Sequence, residues 1–169
     1  MNKKIETKEL FNPNNIKKYE DDLVEYFGKG GTWQNLLGYD TDLMEVQYKK
    51  AYELLHHAQY KEAAAAFSYL TILNPYQYTY WMGLGIAKQN QQLYAEALTS
   101  YTAAEAIEPN NPIPHLNLSQ CYYALELNEQ AIRHLKFAIE IANDKSEYLE
   151  VLKKAQVILE YLTKKMSKI

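Results

Sequence analysis

Small and apolar positions along this chain return every 34 residues. Ala63, Ala97 and Ala131 keep that step, as do Phe67, Tyr101 and Leu135, and Leu70, Ala104 and Ala138. Half a unit earlier, Ala51, Gly85 and Ser119 are spaced the same way; Pro75 and Pro109 close the units, with Asn143 in the third such place. Within a unit the apolar residues fall three and four apart, the period of a helix with one buried face. The pattern predicts two antiparallel helices per unit. Small residues stand where helix axes approach closely, a large residue fills the gap beside them, and proline ends the second helix because it lacks an N–H and disfavours helix in the residue before it. The units fall at about 44–77, 78–111 and 112–145.

Both flanks carry apolar patterns of their own. After the third unit, Tyr148, Leu149, Leu152, Ala155, Leu159 and Leu162 form one stripe, so residues 146–169 are read as a capping helix and tail. A stack of repeats needs such a cap, since its last unit otherwise leaves an apolar face in water. Residues 1–43 are not a repeat. Residues 1–15 are polar, with Asn12-Pro13-Asn14-Asn15, and are expected to be loosely held. Ile16, Tyr19, Leu23, Val24 and Phe27 predict a short amphipathic helix, stopped by Gly28-Lys29-Gly30-Gly31 and followed by an apolar knot of Trp33, Leu36 and Leu37. The turns inside the units hold Ala58, Gln92 and Glu126 where glycine is common. That predicts less sharp turns, or helices that run on slightly.

The middle unit is the fullest: Trp81, Leu84, Gly85, Ala97, Tyr101 and Pro109 match the tetratricopeptide template W-x2-L-G…A-x3-F…P at most positions. The expected fold is therefore all-α, a tetratricopeptide-repeat solenoid of three helix-turn-helix repeats with an N-terminal helix and a C-terminal cap. In this repeat class the first helix of each pair lines a concave groove. The inward places are Glu45, Tyr48, Tyr52 and Leu55 in the first repeat; Thr79, Met82, Ile86 and Gln89 in the second; and Ile113, Leu116, Gln120 and Tyr123 in the third. Repeat proteins that clamp a chain-terminal carboxylate set Lys, Arg and Asn at such places. Here the row is mainly aromatic and aliphatic, which fits an extended apolar peptide with side chains dropping into pockets.

Composition narrows the function further. The chain has 169 residues, 47% hydrophobic and 23% charged, with a formal net charge of −3. That gives no electrostatic case for nucleic acid or an anionic membrane. No apolar h-region follows the basic residues of the N-terminus, and no apolar run is long enough to span a bilayer. The single Cys121 reads as a small buried apolar residue in a reducing compartment. Tyr occurs 16 times, and tyrosine suits surfaces that contact other chains. Glu20-Asp21-Asp22 reads as a solvated helix face, and Gly83-x-Gly85 as packing inside a repeat helix. His56-His57 is the only histidine cluster visible along the chain, and neighbours on a helix point about 100° apart, a poor chelate. No catalytic constellation, metal site or cofactor is expected.

Several stretches resemble the class II chaperones of bacterial type III secretion systems, over about residues 16–165. They are Gly31-Thr32-Trp33-x-x-Leu36-x-Gly38 ahead of the repeats; Tyr48-x-x-Ala51-Tyr52; Tyr60-x-x-Ala63-x-x-x-Phe67-x-x-Leu70; Tyr80-Trp81-Met82-Gly83-Leu84-Gly85; and Tyr94-x-x-Ala97-Leu98-x-x-Tyr101. The resemblance implies a non-enzymatic chaperone of the bacterial cytoplasm that masks hydrophobic translocator proteins before export. It implies a groove that grips a Pro-x-Leu-x-x-Pro-like segment near the translocator's N-terminus. The contacts it implies are Tyr48, Tyr52, Leu55, Tyr60, Leu73, Met82 and Ile86, with Leu55 standing where an aromatic is common. It also implies a homodimer through the N-terminal region, for which Ile16, Tyr19, Leu23, Phe27 and Trp33 are the candidate residues. The alternative is a general tetratricopeptide-repeat scaffold or regulatory protein-binding module.

Overall fold

The computed structural model describes residues 16–167, and these form nine α-helices and one 3-10 turn. The expected loose segment, residues 1–15, lies outside the described residues. In chain order the helices are α1 (Ile16–Gly28), α2 (Trp33–Leu36), α3 (Thr41–His56), α4 (Tyr60–Leu73), α5 (Tyr78–Asn90), α6 (Tyr94–Ile107), α7 (Pro112–Ala124), α8 (Asn128–Ala142) and α9 (Leu149–Met166), the last preceded by the 3-10 turn Ser146–Tyr148. Helices α3–α4, α5–α6 and α7–α8 are the three repeats. From α3 to α9 each helix packs on its neighbours in sequence; α2 packs on α4, α3 also touches α5, and α9 touches α7 as well as α8.

Helix starts follow local chemistry. The Asp40 carboxylate accepts from the Leu43 amide at 2.8 Å and caps α3. Asn111 caps α7 through the Ile113 amide, with Pro112 at a first-turn position where no N–H is needed. The turns inside the repeats are sharp, contrary to the expectation from their missing glycines. Ala58, Gln92 and Glu126 take the left-handed conformation at φ 57°, 61° and 62°. In each case two crossed hydrogen bonds close the helix end. In the first repeat these are Gln59 N–H to Leu54 C=O and Ala58 N–H to Leu55 C=O, and Leu93/Gln92 and Leu127/Glu126 repeat the scheme. Gly30 and Gly38 use the same closure in the lead-in at φ 83° and 73°. The bonds satisfy the last helix carbonyls, so the geometry holds even where a Cβ makes it costly.

The core is three clusters in a row, one per repeat interface. Its registering contact is a ring set on a glycine. A Cβ on Gly85 would stand 2.5 Å from the Tyr101 ring, and one on Gly83 2.3 Å from the Phe67 ring. Helix α5 thus carries one glycine for the helix before it and one for the helix after it. Tyr101, Phe67 and Leu135 are fully buried, as are Ala63, Ala97 and Ala131 beside them.

At the C-terminus, Ala155 and Leu162 of α9 are buried against Leu116, Ala131, Leu135 and Ala138, with Val151, Ile158 and Leu159 packed at the edge. Leu149, assigned to this stripe from its spacing, is instead 48% exposed, because the helix begins only there, after the 3-10 turn.

Two substitutions test this account. Gly85→Ala should lower stability by about 1–3 kcal/mol, since the methyl group must displace a buried ring; an unchanged melting temperature would refute the ring-on-glycine register. Gln92→Gly should raise stability by about 0.5–1 kcal/mol, the left-handed penalty of a non-glycine residue less the chain entropy of glycine. A fall in its melting temperature would mean that the Gln92 side chain, not the backbone, holds the turn.

Candidate peptide-binding groove

The first helices of the repeats, α3, α5 and α7, present one shared face, tied from repeat to repeat by side chains. Tyr48 of α3 lies 5.9 Å from the ring of Tyr80 on α5 and 6.0 Å from Phe67 beneath it, ring centre to ring centre. Tyr52, one turn on, lies 6.3 Å from Tyr48 and is 54% exposed. Further along, Gln89 of α5 donates to Gln120 of α7 at 3.0 Å and accepts from the Tyr101 hydroxyl at 2.6 Å. The buried ring that sets the helix spacing thereby also fixes a polar group on the groove floor. Burial, then the neighbouring Tyr52, pushes the Tyr48 phenol above its ordinary range, so it remains a neutral hydrogen-bonding group.

The seven residues implied as peptide contacts divide by exposure. Tyr52 is open, and Tyr48, Leu55, Tyr60 and Ile86 are half-buried, each with surface to offer. Met82 is only 7% exposed and packs with Ala97, Tyr101, Leu118 and Cys121. Leu73 is 3% exposed in the first core cluster and lines a separate 260 Å³ cavity with Tyr39, Leu43, Met44, Gln47 and Tyr69. Helical spacing alone did not separate groove from core at Met82, and the resemblance did not do so at Leu73. Met82, an inward place and implied contact, is thus revised: its side chain belongs to the core. Tyr80, absent from the inward places, is likewise 7% exposed and in the first core cluster, and it backs Tyr48 from across the repeat boundary. At the far end, Lys165 of α9 donates to the Tyr123 hydroxyl at 3.2 Å and lies over its ring at 5.1 Å. The cap helix therefore occupies the third repeat's outermost inward place.

The N-terminal residues also differ from expectation. Phe27 and Trp33 contact each other at 4.9 Å and, with Thr71, Ile72, Pro75 and Trp81, line a 350 Å³ cavity against the first two repeats. They have a partner within the chain. Tyr19 and Leu23 are half-buried, and Val24 is 69% exposed. Ile16 begins α1, but its side chain is outside the described residues.

Two further groups were read from the sequence as chemically inert. Burial pushes the Cys121 thiol up to about 11, which fits a packing residue and not a nucleophile. The histidines require a correction. His56-His57 is exposed, but the fold builds a second cluster that no local spacing showed: His115 and His134, 19 residues apart, meet with their Nδ1 atoms at 3.0 Å. Burial, then His115 and Arg133, lowers His134 to about 4, and burial also lowers His115 against the pull of Glu105. No helix among the described residues is long and apolar enough to cross a membrane.

The fold is a tetratricopeptide-repeat solenoid, and the family model described as "Tetratricopeptide repeat" matches residues 89–155. The chain's resemblance to the type III secretion chaperones holds in both sequence and backbone. The chaperone protein SicA of Salmonella typhimurium is 28% identical over 134 residues, covering 79% of each chain. A type III secretion complex from Aeromonas hydrophila has a chain that superimposes with a TM-score of 0.84 at 24% identity, covering 87% of this chain and 98% of that one. The Yersinia enterocolitica chaperone SycD, solved in complex with a peptide of the translocator YopD, superimposes with a TM-score of 0.72 at 24% identity over 75% of this chain and 97% of its own.

Proposed function

We propose that this protein is a non-enzymatic chaperone of the bacterial cytoplasm that holds hydrophobic translocator proteins of a type III secretion system before export. The observation that carries the reading is the pair Tyr48 and Tyr52, backed across the repeat boundary by the buried Tyr80 and opening onto a groove without a cationic clamp. Such a pair offers wide apolar faces with polar edges, suited to an extended chain whose alternate side chains point inward. The peptide complex of a similar chaperone supports the same use of the fold. Tyr48, Tyr52, Leu55, Tyr60 and Ile86 supply the contact surface, and Met82 and Leu73 back it from the core. Binding a translocator here would keep its apolar segments from one another until export.

The same reading includes a homodimer through α1. Leu23 and the exposed Val24 provide its apolar contact, while Phe27 and Trp33 brace the helix on the repeats.

Two measurements test these statements. A synthetic peptide with a Pro-x-Leu-x-x-Pro pattern should bind by calorimetry, and its scrambled version should not. Tyr52→Ala should weaken that binding by about 2 kcal/mol, as buried aromatic anchors do, with a nearly unchanged melting temperature. Met82→Ala should instead lower stability by about 2–5 kcal/mol. Parent-like peptide affinity in Tyr52→Ala would remove the groove as the site and favour the general scaffold. For the dimer, Leu23→Asp with Val24→Asp should convert it to a monomer by analytical ultracentrifugation; a monomeric parent, or a variant that still dimerises, would refute the α1 interface.

A further inference from the structure

The histidine pair lies where the second repeat meets the third, and three helices contribute to it. Glu105 comes from α6, His115 from α7 and His134 from α8. One donor atom from each of the three lies within 4.8 Å of one from each of the others. His115 is 5% exposed, its Nδ1 is 3.0 Å from Nδ1 of His134, and its Nε2 is 3.7 Å from a Glu105 carboxylate oxygen. The rings are fixed by their neighbours: Tyr122 stacks on His134 at 5.2 Å and 17°, and Phe137 lies 5.4 Å from His115. The Glu105 side chain, 31% exposed, has room to move.

We propose that Glu105, His115 and His134 bind a single divalent transition-metal ion of the zinc class, which clamps the second repeat to the third. Two imidazoles and one carboxylate are a known donor set for this ion, with bonds near 2.0–2.2 Å and a fourth position for water. A tetrahedral ion with such bonds spaces its ligand atoms about 3.3 Å apart, so the histidine nitrogens already stand near the needed separation. The three donor atoms lie within 4.8 Å of one another, so bringing the partly exposed glutamate onto the ion takes a shift of up to about 1.5 Å. Binding replaces the imidazole–imidazole hydrogen bond. Each ring coordinates through one nitrogen and keeps its proton on the other, so no net proton is released, and the carboxylate supplies negative charge to the site. The ion would join side chains of α6, α7 and α8 at a junction already held by the packing of Tyr101 and by the Gln89–Gln120 hydrogen bond.

The test uses the full-length chain, stripped with a chelator and titrated with Zn2+ by calorimetry, and with Co2+ followed by visible absorption. One ion per chain is expected, with tetrahedral Co2+ bands and a higher melting temperature in its presence. His134→Gln and Glu105→Gln should each weaken Zn2+ binding by about 10–100-fold. The double variant His56→Ala, His57→Ala, which removes the exposed pair, should bind as the parent does. No saturable binding of one equivalent, full binding in either cluster variant, or loss in the His56/His57 variant would overturn the site. Should His134→Gln fail to fold, Glu105→Gln decides the matter, since its partly exposed side chain changes charge but not shape.

Discussion

Everything in this protein is hung on the contact between a ring and a glycine at the centre of the stack. Tyr101 is fully buried against Gly85, and Phe67 is equally buried against Gly83, both on α5. Because no side chain intervenes, α5 lies close to the helix on each side, and the two outer repeats take their positions from it. The equivalent places in the flanking repeats use a different pair of sizes. Ala51 stands in register with Phe67, Gly85 with Tyr101 and Ser119 with Leu135, so the smallest residue goes with the largest partner. Interiors tolerate exchange of this kind when the summed volume is kept.

That buried contact reaches the functional surface through one hydrogen bond. The Tyr101 ring is core, yet its hydroxyl emerges beside Gln89, which joins Gln120 of the next repeat. Stability and groove geometry are therefore not separable at this point: moving the ring would move a polar group on the floor. The first repeat differs. There the cross-repeat tie is aromatic, Tyr48 to Tyr80, and the next ring out, Tyr52, is left open. One end of the groove is thus an apolar aromatic surface and the middle is polar, while the C-terminal end is occupied by the contact between Lys165 and Tyr123. A chain lying along the groove meets apolar ground first in the repeat nearest the N-terminus.

The repeats were legible in the sequence because every unit solves the same packing problem at the same spacing. The 34-residue step of Ala63, Ala97 and Ala131 is enough to predict paired helices and their order. What the period could not give was depth. Met82 has the spacing of a groove residue but the burial of a core residue, since a helix in a stack has neighbours on more than one side. Nor could it give the turns. A left-handed residue is inferred from glycine, and Ala58, Gln92 and Glu126 carry no such mark; the crossed hydrogen bonds that hold them are main-chain features. Contacts between units were hidden for a related reason. His115 and His134 are placed together by the antiparallel pairing of α7 and α8, and Glu105 joins them from the repeat before.

The third repeat shows what a stack does when the ring-on-glycine device is not used again. Leu135 is smaller than Tyr101, and Ser119, buried and hydrogen-bonded to the Leu116 carbonyl, takes the place of glycine. The interface with the second repeat gains polar groups in exchange: the Asn111 cap bonded to Glu108, the Glu105–His115–His134 row, and Lys145 donating to the Asn110 carbonyl. Apolar packing tolerates small slides between surfaces, whereas hydrogen-bonded groups with a fixed direction do not, and burial raises the cost of leaving them unpaired. These directed bonds add to the packing of the Tyr101 ring on Leu118 and Cys121, which sets the last repeat against the second. Helix α9 can then cover its outer face with Ala155 and Leu162 without having to set its position.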